Sequence, residues 1–453
     1  VKRWTALTAA DHILERGGPF AEVPALPPLV ADGKLGCVRA IGLVALVILL
    51  IVGACTAAPP QPAPVADHTV GPSFVHGTDQ GDTDRLAATI VTDVQRYWAA
   101  QYPAVFGVPW RDLDGGFFSV DTNGTSAPPP CAADVKDIEG NAYYCATVDA
   151  IAWDRAALVP VLREHYGDAS VAVVLAHEIG HAVQRRAGLH ADGAPMRLEA
   201  MADCYSGSFI RWVVDGHAEH LRINPEQLDR AMRALIVFRD PVSTNNTDTH
   251  GTAFDRISAF QSGFLDGPRR CADVTGTSLA EPAPDDPNKP LDDVLRTDRI
   301  SGYFGALVTQ RGGRWTPPAV RSAPGCPETT GPAQFCAQPP TIVVDRAALA
   351  GPHRSIGDQA VTTLLTSRFA LAALTELGRP TTGAEAGKQI ACLTGAYTAA
   401  QPALSAGDLD EAVTITLESD EVSRDAHGAN PLTGFDRIAA FRTGALGDAA
   451  ACG

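Results

Sequence analysis

The apolar positions change character along the chain. From Ala40 to Cys55 they form an unbroken run, AIGLVALVILLIVGAC, with Lys34 and Arg39 on its N-terminal side. That is the length of a signal-peptide core and short for a membrane-spanning helix. Beyond Cys55 the pattern gives way to TAAPPQPAPVAD, which reads as an extended tether occupying residues 56–81. From about Asp82 apolar residues return with helical spacing. The stretch Val171 to Gly188, VAVVLAHEIGHAVQRRAG, predicts a helix with Asp168 as N-cap, Arg185 and Arg186 in the last turn and Gly188 at its end. A second helix begins near Pro195 and holds its register through Phe209, Trp212 and Val213, and a third opens at Asn224-Pro225 and runs to Phe238. Strands are expected around Phe117–Val120 and Ala146–Ala152. The expected class is α+β, predominantly helical.

The pattern also repeats. FDRISAFQSG, Phe254 to Gly263, returns as FDRIAAFRTG, Phe435 to Gly444, and each copy is followed by a cysteine, Cys271 and Cys452. WDRAAL (Trp153 to Leu158) returns as VDRAAL (Val344 to Leu349), and TDRL at Thr83 as TDRI at Thr297. The Pro- and Asp-rich stretch over 273–292 separates the copies. Two homologous domains are therefore expected, 82–272 and 293–453. Eight cysteines obey the repeat: Cys131, Cys145, Cys204 and Cys271, then Cys326, Cys336, Cys392 and Cys452. An even, repeated set reads as disulfides. The short spacings favour Cys131–Cys145 and Cys326–Cys336, leaving Cys204–Cys271 and Cys392–Cys452.

Composition narrows the setting. The chain has 453 residues, 45% of them hydrophobic, and a net charge of −16, which argues against nucleic acid as a partner. The end of the apolar run, Val52-Gly53-Ala54-Cys55, resembles the lipobox of bacterial lipoproteins, so residues 38–55 read as a lipoprotein signal peptide with Cys55 as the lipidated residue. A single-pass anchor is the other reading; either sets the remaining chain outside the cytoplasm, tethered to the membrane. Residues 1–37 are then an over-called start or a short cytoplasmic leader.

The chemistry is concentrated in HEIGH. His177 and His181 are four residues apart, so on a helix they project from one face and can reach one Zn²⁺. Glu178 lies beside them, where an activated water needs a base. Catalytic zinc requires a third protein ligand and an open position. Glu199, in LEAMADCYSG, is the expected third ligand, and Asp203, one turn on, is expected to accept from the non-ligating nitrogen of a zinc histidine. The second half carries an internal control. Aligning Gly167-Asp168 with Gly357-Asp358 sets Ser367, Arg368 and Leu371 against His177, Glu178 and His181, while Gly387 and Ala391 stand against Glu199 and Asp203. All five site residues are lost together. Asp255 and Arg256 recur as Asp436 and Arg437 and are therefore read as an internal ion pair or helix start. Gln184 is placed toward the cleft; His165, His190, His217 and His220 are read as surface or loop residues.

HEIGHAVQ, then EAMADCYSG, then HGTAFDRISAFQSGF resembles the neutral zinc metallopeptidase family of bacteria, over roughly Asp82 to Cys271, with a wider likeness to gluzincins. The resemblance implies a zincin-like first domain, zinc on His177, His181 and Glu199, Glu178 as base, Asp203 behind a ligand, and a peptide or protein substrate. It also makes His250, which heads the third motif, the candidate donor to an oxyanion, against a reading as a mere helix cap. Tyr205 is a weaker candidate for that role and is expected in the core. The expected activity is that of a membrane-tethered, extracytoplasmic zinc peptidase. The competing readings are an envelope scaffold lipoprotein with structural zinc, and a zinc hydrolase of a non-peptide amide.

Overall fold

The computed structural model describes residues 65–66, 69–190, 194–237, 251–275, 279–280, 287–322, 325–326 and 329–453. The apolar run, Cys55 and His250 lie outside the described residues. Among the described residues no helix is long and apolar enough to cross a membrane.

The fold is α+β, with helices dominating and two small sheets. Strand β1 (Val75–His76) leads into helix α1 (Asp82–Phe106), then β2 (Gly116–Val120) and the hairpin β3 (Ala142–Cys145) and β4 (Ala150–Asp154). The sheet order is β1-β2-β4-β3, with β3 alone antiparallel to its neighbour. All of β4 is buried: Ala150 to Trp153 are apolar, and Asp154 accepts from Thr122 Oγ1 and the Gly140 N–H. Five helices follow: α2 (Leu158–Tyr166), α3 (Asp168–Arg186), α4 (Pro195–Val214), α5 (Pro225–Val237) and α6 (Ala253–Asp266).

The same order of elements recurs. Helix α7 (Asp298–Gln310) precedes β5 (Ala319–Ser322) and the hairpin β6 (Ala333–Cys336) and β7 (Thr341–Val344), again with one parallel and one antiparallel pairing. Then come α8 (Arg346–Ser355), α9 (Asp358–Glu376), α10 (Gly383–Ala399), α11 (Ala406–Glu418) and α12 (Gly434–Gly447).

Three expectations need correction. The stretch expected to be tether already contributes a strand, since β1 pairs with β2 and Val75 is buried. The strand expected over Ala146–Ala152 is the end of a hairpin, whose turn falls between Cys145 and Ala150. Asp168 does not cap α3; Gly167 holds the cap position, and the Asp168 carboxylate instead accepts from Arg163 Nε at 2.8 Å.

Helix α3 is apolar on nearly every face and is buried accordingly, packed by α1, α2, α4 and α5. Two glycine-lined crossings set the spacing around it. Gly180 brings α3 onto Ala202 of α4, where an added Cβ would lie 3.0 Å from the Ala202 Cα. Gly207 and Gly263 let α4 and α6 touch backbone to backbone; a Cβ there would sit 1.9 Å from Phe260 O and 1.7 Å from Cys204 O. The crossing of α10 and α12 is built alike, with Gly395 facing Phe441 O and Gly444 facing Cys392 O at 2.0 and 1.8 Å.

All four expected disulfides form: Cys131–Cys145, Cys204–Cys271, Cys326–Cys336 and Cys392–Cys452. They mark an oxidising environment outside the cytoplasm. The two halves share a core, because the main apolar cluster of the first half continues through Leu409, Val413, Leu417, Phe435 and Ile438.

Candidate metal centre

The α3–α4 crossing carries the candidate ligands. His177 and His181 stand one turn apart on α3, their rings 4.9 Å apart and nearly perpendicular. Glu199 approaches from the first turns of α4, its Oε2 3.1 Å from His177 Nε2 and 3.5 Å from His181 Nε2. One ligand atom from each of the three lies within 4.8 Å of the others. A tetrahedral zinc with bonds near 2.0–2.1 Å holds its ligand atoms roughly 3.4 Å apart, so the spacing meets that requirement. His177 is almost fully enclosed, whereas the His181 and Glu199 side chains keep 21% and 16% of their surface open, so the cluster opens on their side.

Behind the ligands the polar groups form a chain. Asp203 Oδ1 lies 2.8 Å from His177 Nδ1. The carboxylate can only accept, so Nδ1 carries the proton and Nε2 faces the cluster. Asp203 is itself gripped by Arg256 of α6, through Nε to Oδ2 at 2.8 Å and Nη2 to Oδ1 at 2.7 Å. Burial alone would raise the Asp203 pKa; Arg256 and His177 outweigh it and hold the carboxyl down to about 2. Burial likewise opposes protonation of His177, but Asp203, Glu199 and Glu178 reverse it and carry the imidazole up to about 10. His181 is raised in the same manner, with Glu199 outweighing burial. With both imidazoles deprotonated, as binding a metal requires, three carboxylates and one guanidinium leave two negative charges, which a dication taking the place of the imidazole protons would balance.

His181 has its own support. Its Nδ1 lies 3.3 Å from Gln184 Oε1, and Gln184 Nε2 donates to Leu198 O at 2.5 Å. Glu178 is buried and lines a small pocket with Val173, Val174, His177, Ala234, Leu235 and Arg256.

The arrangement brings together His177, Glu178, His181, Glu199 and Asp203 as the sequence predicts. Tyr205 is in the core, its ring edge-on to Trp98 at 5.2 Å. Asp255 closes a capping box with Thr252 at the start of α6, and Arg256 makes an internal ion pair. Sequence reasoning reached that pairing in kind but missed its importance, since the partner is Asp203 of the centre itself. Among the loop histidines, His220 has an unforeseen partner: its Nδ1 lies 2.7 Å from the buried Asp93.

The corresponding region of the second half is closed by its own chain. Arg368 is buried and donates to Ser367 Oγ, Glu421 O and Arg424 O at 3.1, 3.0 and 2.8 Å. Burial lowers its pKa to about 10.

Comparison with protein-family models, curated proteins and solved structures finds no match to the chain.

Proposed function

We propose that the chain is a zinc-dependent peptidase of the neutral zinc metallopeptidase type, tethered to the membrane and acting outside the cytoplasm. One observation carries this reading: Glu178 stands beside a three-ligand cluster whose first histidine is held by a buried Asp203–Arg256 pair. Further support for a zincin-like first domain comes from two helices, one bearing both histidines and the next the glutamate. We also read the chain as a duplication whose second copy has lost the site, because element order, glycine crossings and disulfide placement recur together.

When bound, zinc would polarise a scissile carbonyl and acidify a coordinated water. The chain's residues do the rest. His177, His181 and Glu199 would hold the ion. Glu178 takes a proton from the attacking water and returns it to the leaving amine nitrogen. Asp203 fixes the His177 tautomer, and Arg256 keeps Asp203 ionised; Gln184 orients His181. His250 is the candidate donor to the developing oxyanion.

The test is metal content and peptide cleavage by the wild type and Glu178→Gln. Retained zinc with cleavage lost in the variant alone is the expected result. A scaffold with structural zinc is favoured by one observation, the 4% exposure of Glu178. A zinc-loaded wild type inert toward peptide libraries would overturn the peptidase reading.

A further inference from the structure

The second half touches the first half where the chain supporting His177 begins. Asp410, on α11, is 2% exposed, and its Oδ1 accepts from the backbone N–H of Phe254 at 3.4 Å. Phe254 is in the first turn of α6, two residues before Arg256. The first N–H groups of a helix have no partner within it, and the positive end of the helix dipole favours a carboxylate there. The mirror contact exists. Asp229, on α5, accepts from the N–H groups of Gly434 and Phe435 at 2.6 and 2.7 Å, in the first turn of α12. Each half thus caps one helix of the other.

The two caps lead to different ends. Beyond the Asp410 cap, Arg256 runs to Asp203 and so to His177. Beyond the Asp229 cap, Arg437 donates to the carbonyls of Thr416, Leu417 and Leu432, because Ala391 stands where a carboxylate would be needed. We infer that Asp410 is a positioning residue for the metal centre, so the second half, though it holds none of the ligands, is a working part of the site. The inference rests on the zinc reading above for its metal readout alone; the cap and the His177 hydrogen bond are independent of it.

Mirrored variants of the full chain in detergent test it. Zinc affinity is measured by competition with a chromophoric chelator, and stability by urea unfolding, for Asp410→Ala and Asp229→Ala. Both should lower the urea midpoint. Asp410→Ala alone should weaken zinc binding about 10-fold, the scale seen when a residue supporting a metal ligand is lost, and Asp410→Asn, whose amide oxygen still accepts, should restore it. Unchanged zinc affinity in Asp410→Ala, or equal weakening in both Ala variants, would overturn the inference. If the wild type takes up no zinc, the peptidase reading fails by itself. The His177 Nδ1–H proton resonance of metal-free protein then decides: loss in Asp410→Ala alone supports the positioning role, and persistence there overturns it. Should Asp410→Ala not fold, hydrogen exchange in the wild type serves. Coupling is reciprocal, so zinc should slow exchange of the Phe254 amide and leave those of Gly434 and Phe435 unchanged; no change at Phe254 counts against it.

Discussion

Arg256 holds Asp203 through two parallel charge-assisted hydrogen bonds, and both side chains are almost fully removed from water. A bidentate guanidinium–carboxylate pair of this kind fixes direction as well as charge. Removing Arg256 takes away the larger of the two charges that hold the buried carboxylate, with His177 left beside it, a loss of about 3–5 kcal/mol. Arg256→Met, which keeps much of the volume, should therefore lower the free energy of unfolding by that amount in urea titrations. Arg256→Lys should recover only part of it, because an ammonium cannot span both carboxylate oxygens.

The four crossing glycines make a second expectation. Gly207, Gly263, Gly395 and Gly444 each face a backbone carbonyl that an added Cβ would meet at 2.0 Å or less. Backbone cannot swing aside as a side chain can, so each Gly→Ala change must push two helices apart. Each should cost at or above about 3 kcal/mol, the upper range for overpacked cores. In the first half the separation also moves Cys204 and Asp203, so Gly207→Ala should weaken zinc retention, whereas Gly395→Ala should leave it intact. Zinc content after dialysis against a weak chelator checks the contrast.

Much of this arrangement was legible in the sequence because it is local. The i, i+4 spacing of His177 with His181, and of Glu199 with Asp203, sets faces on single helices. The cysteine pairs followed from their repeat. What escaped depends on contacts across long separations. Arg256 meets Asp203 only because glycines bring α4 and α6 together, and its recurrence as Arg437 made it look purely structural. Asp229 and Asp410 are ordinary polar positions on amphipathic helices until the two halves pack. The hairpin turn before Ala150 carries no glycine, because Asp149 takes its left-handed position at φ 59°, and Asp168 lost its capping role because Arg163 competes for the same carboxylate.

Glu411 sets a pH expectation away from the candidate metal centre. Its carboxyl lies within 4.8 Å of those of Asp358 and Asp408, and its Oε2 accepts from the N–H of Gln359 at 2.9 Å. Burial, reinforced by Asp358 and Asp408, pushes its pKa up to about 8 from an ordinary 4.5. The native state therefore binds a proton that the unfolded state has released between those values. Stability is highest below about pH 4.5 from this group and declines as pH rises toward 8, with a slope of at most about 1.4 kcal/mol per pH unit. Glu411→Gln should flatten that decline in urea titrations repeated across the range; an unchanged slope would assign the effect elsewhere.

Arg368 fills the region of the second half that aligns with the candidate metal centre. Its guanidinium is buried where it satisfies the carbonyls of Glu421 and Arg424, so the segment after α11 folds over it. Gly387, aligned with Glu199, has no room either: a Cβ there would lie 2.9 Å from Ser423 O and 3.2 Å from a Leu432 methyl. Restoring ligands by Ser367→His, Arg368→Glu, Leu371→His, Gly387→Glu and Ala391→Asp should therefore fail to create a second zinc site. Such a variant should bind no more zinc than the wild type and unfold more readily, since two carbonyls lose their donor at a cost of about 1–3 kcal/mol each. Zinc analysis of the grafted chain separates the two outcomes. One additional equivalent of tightly held metal would mean that the second half has kept an open cavity, and that its own backbone is not what fills the place of the ion.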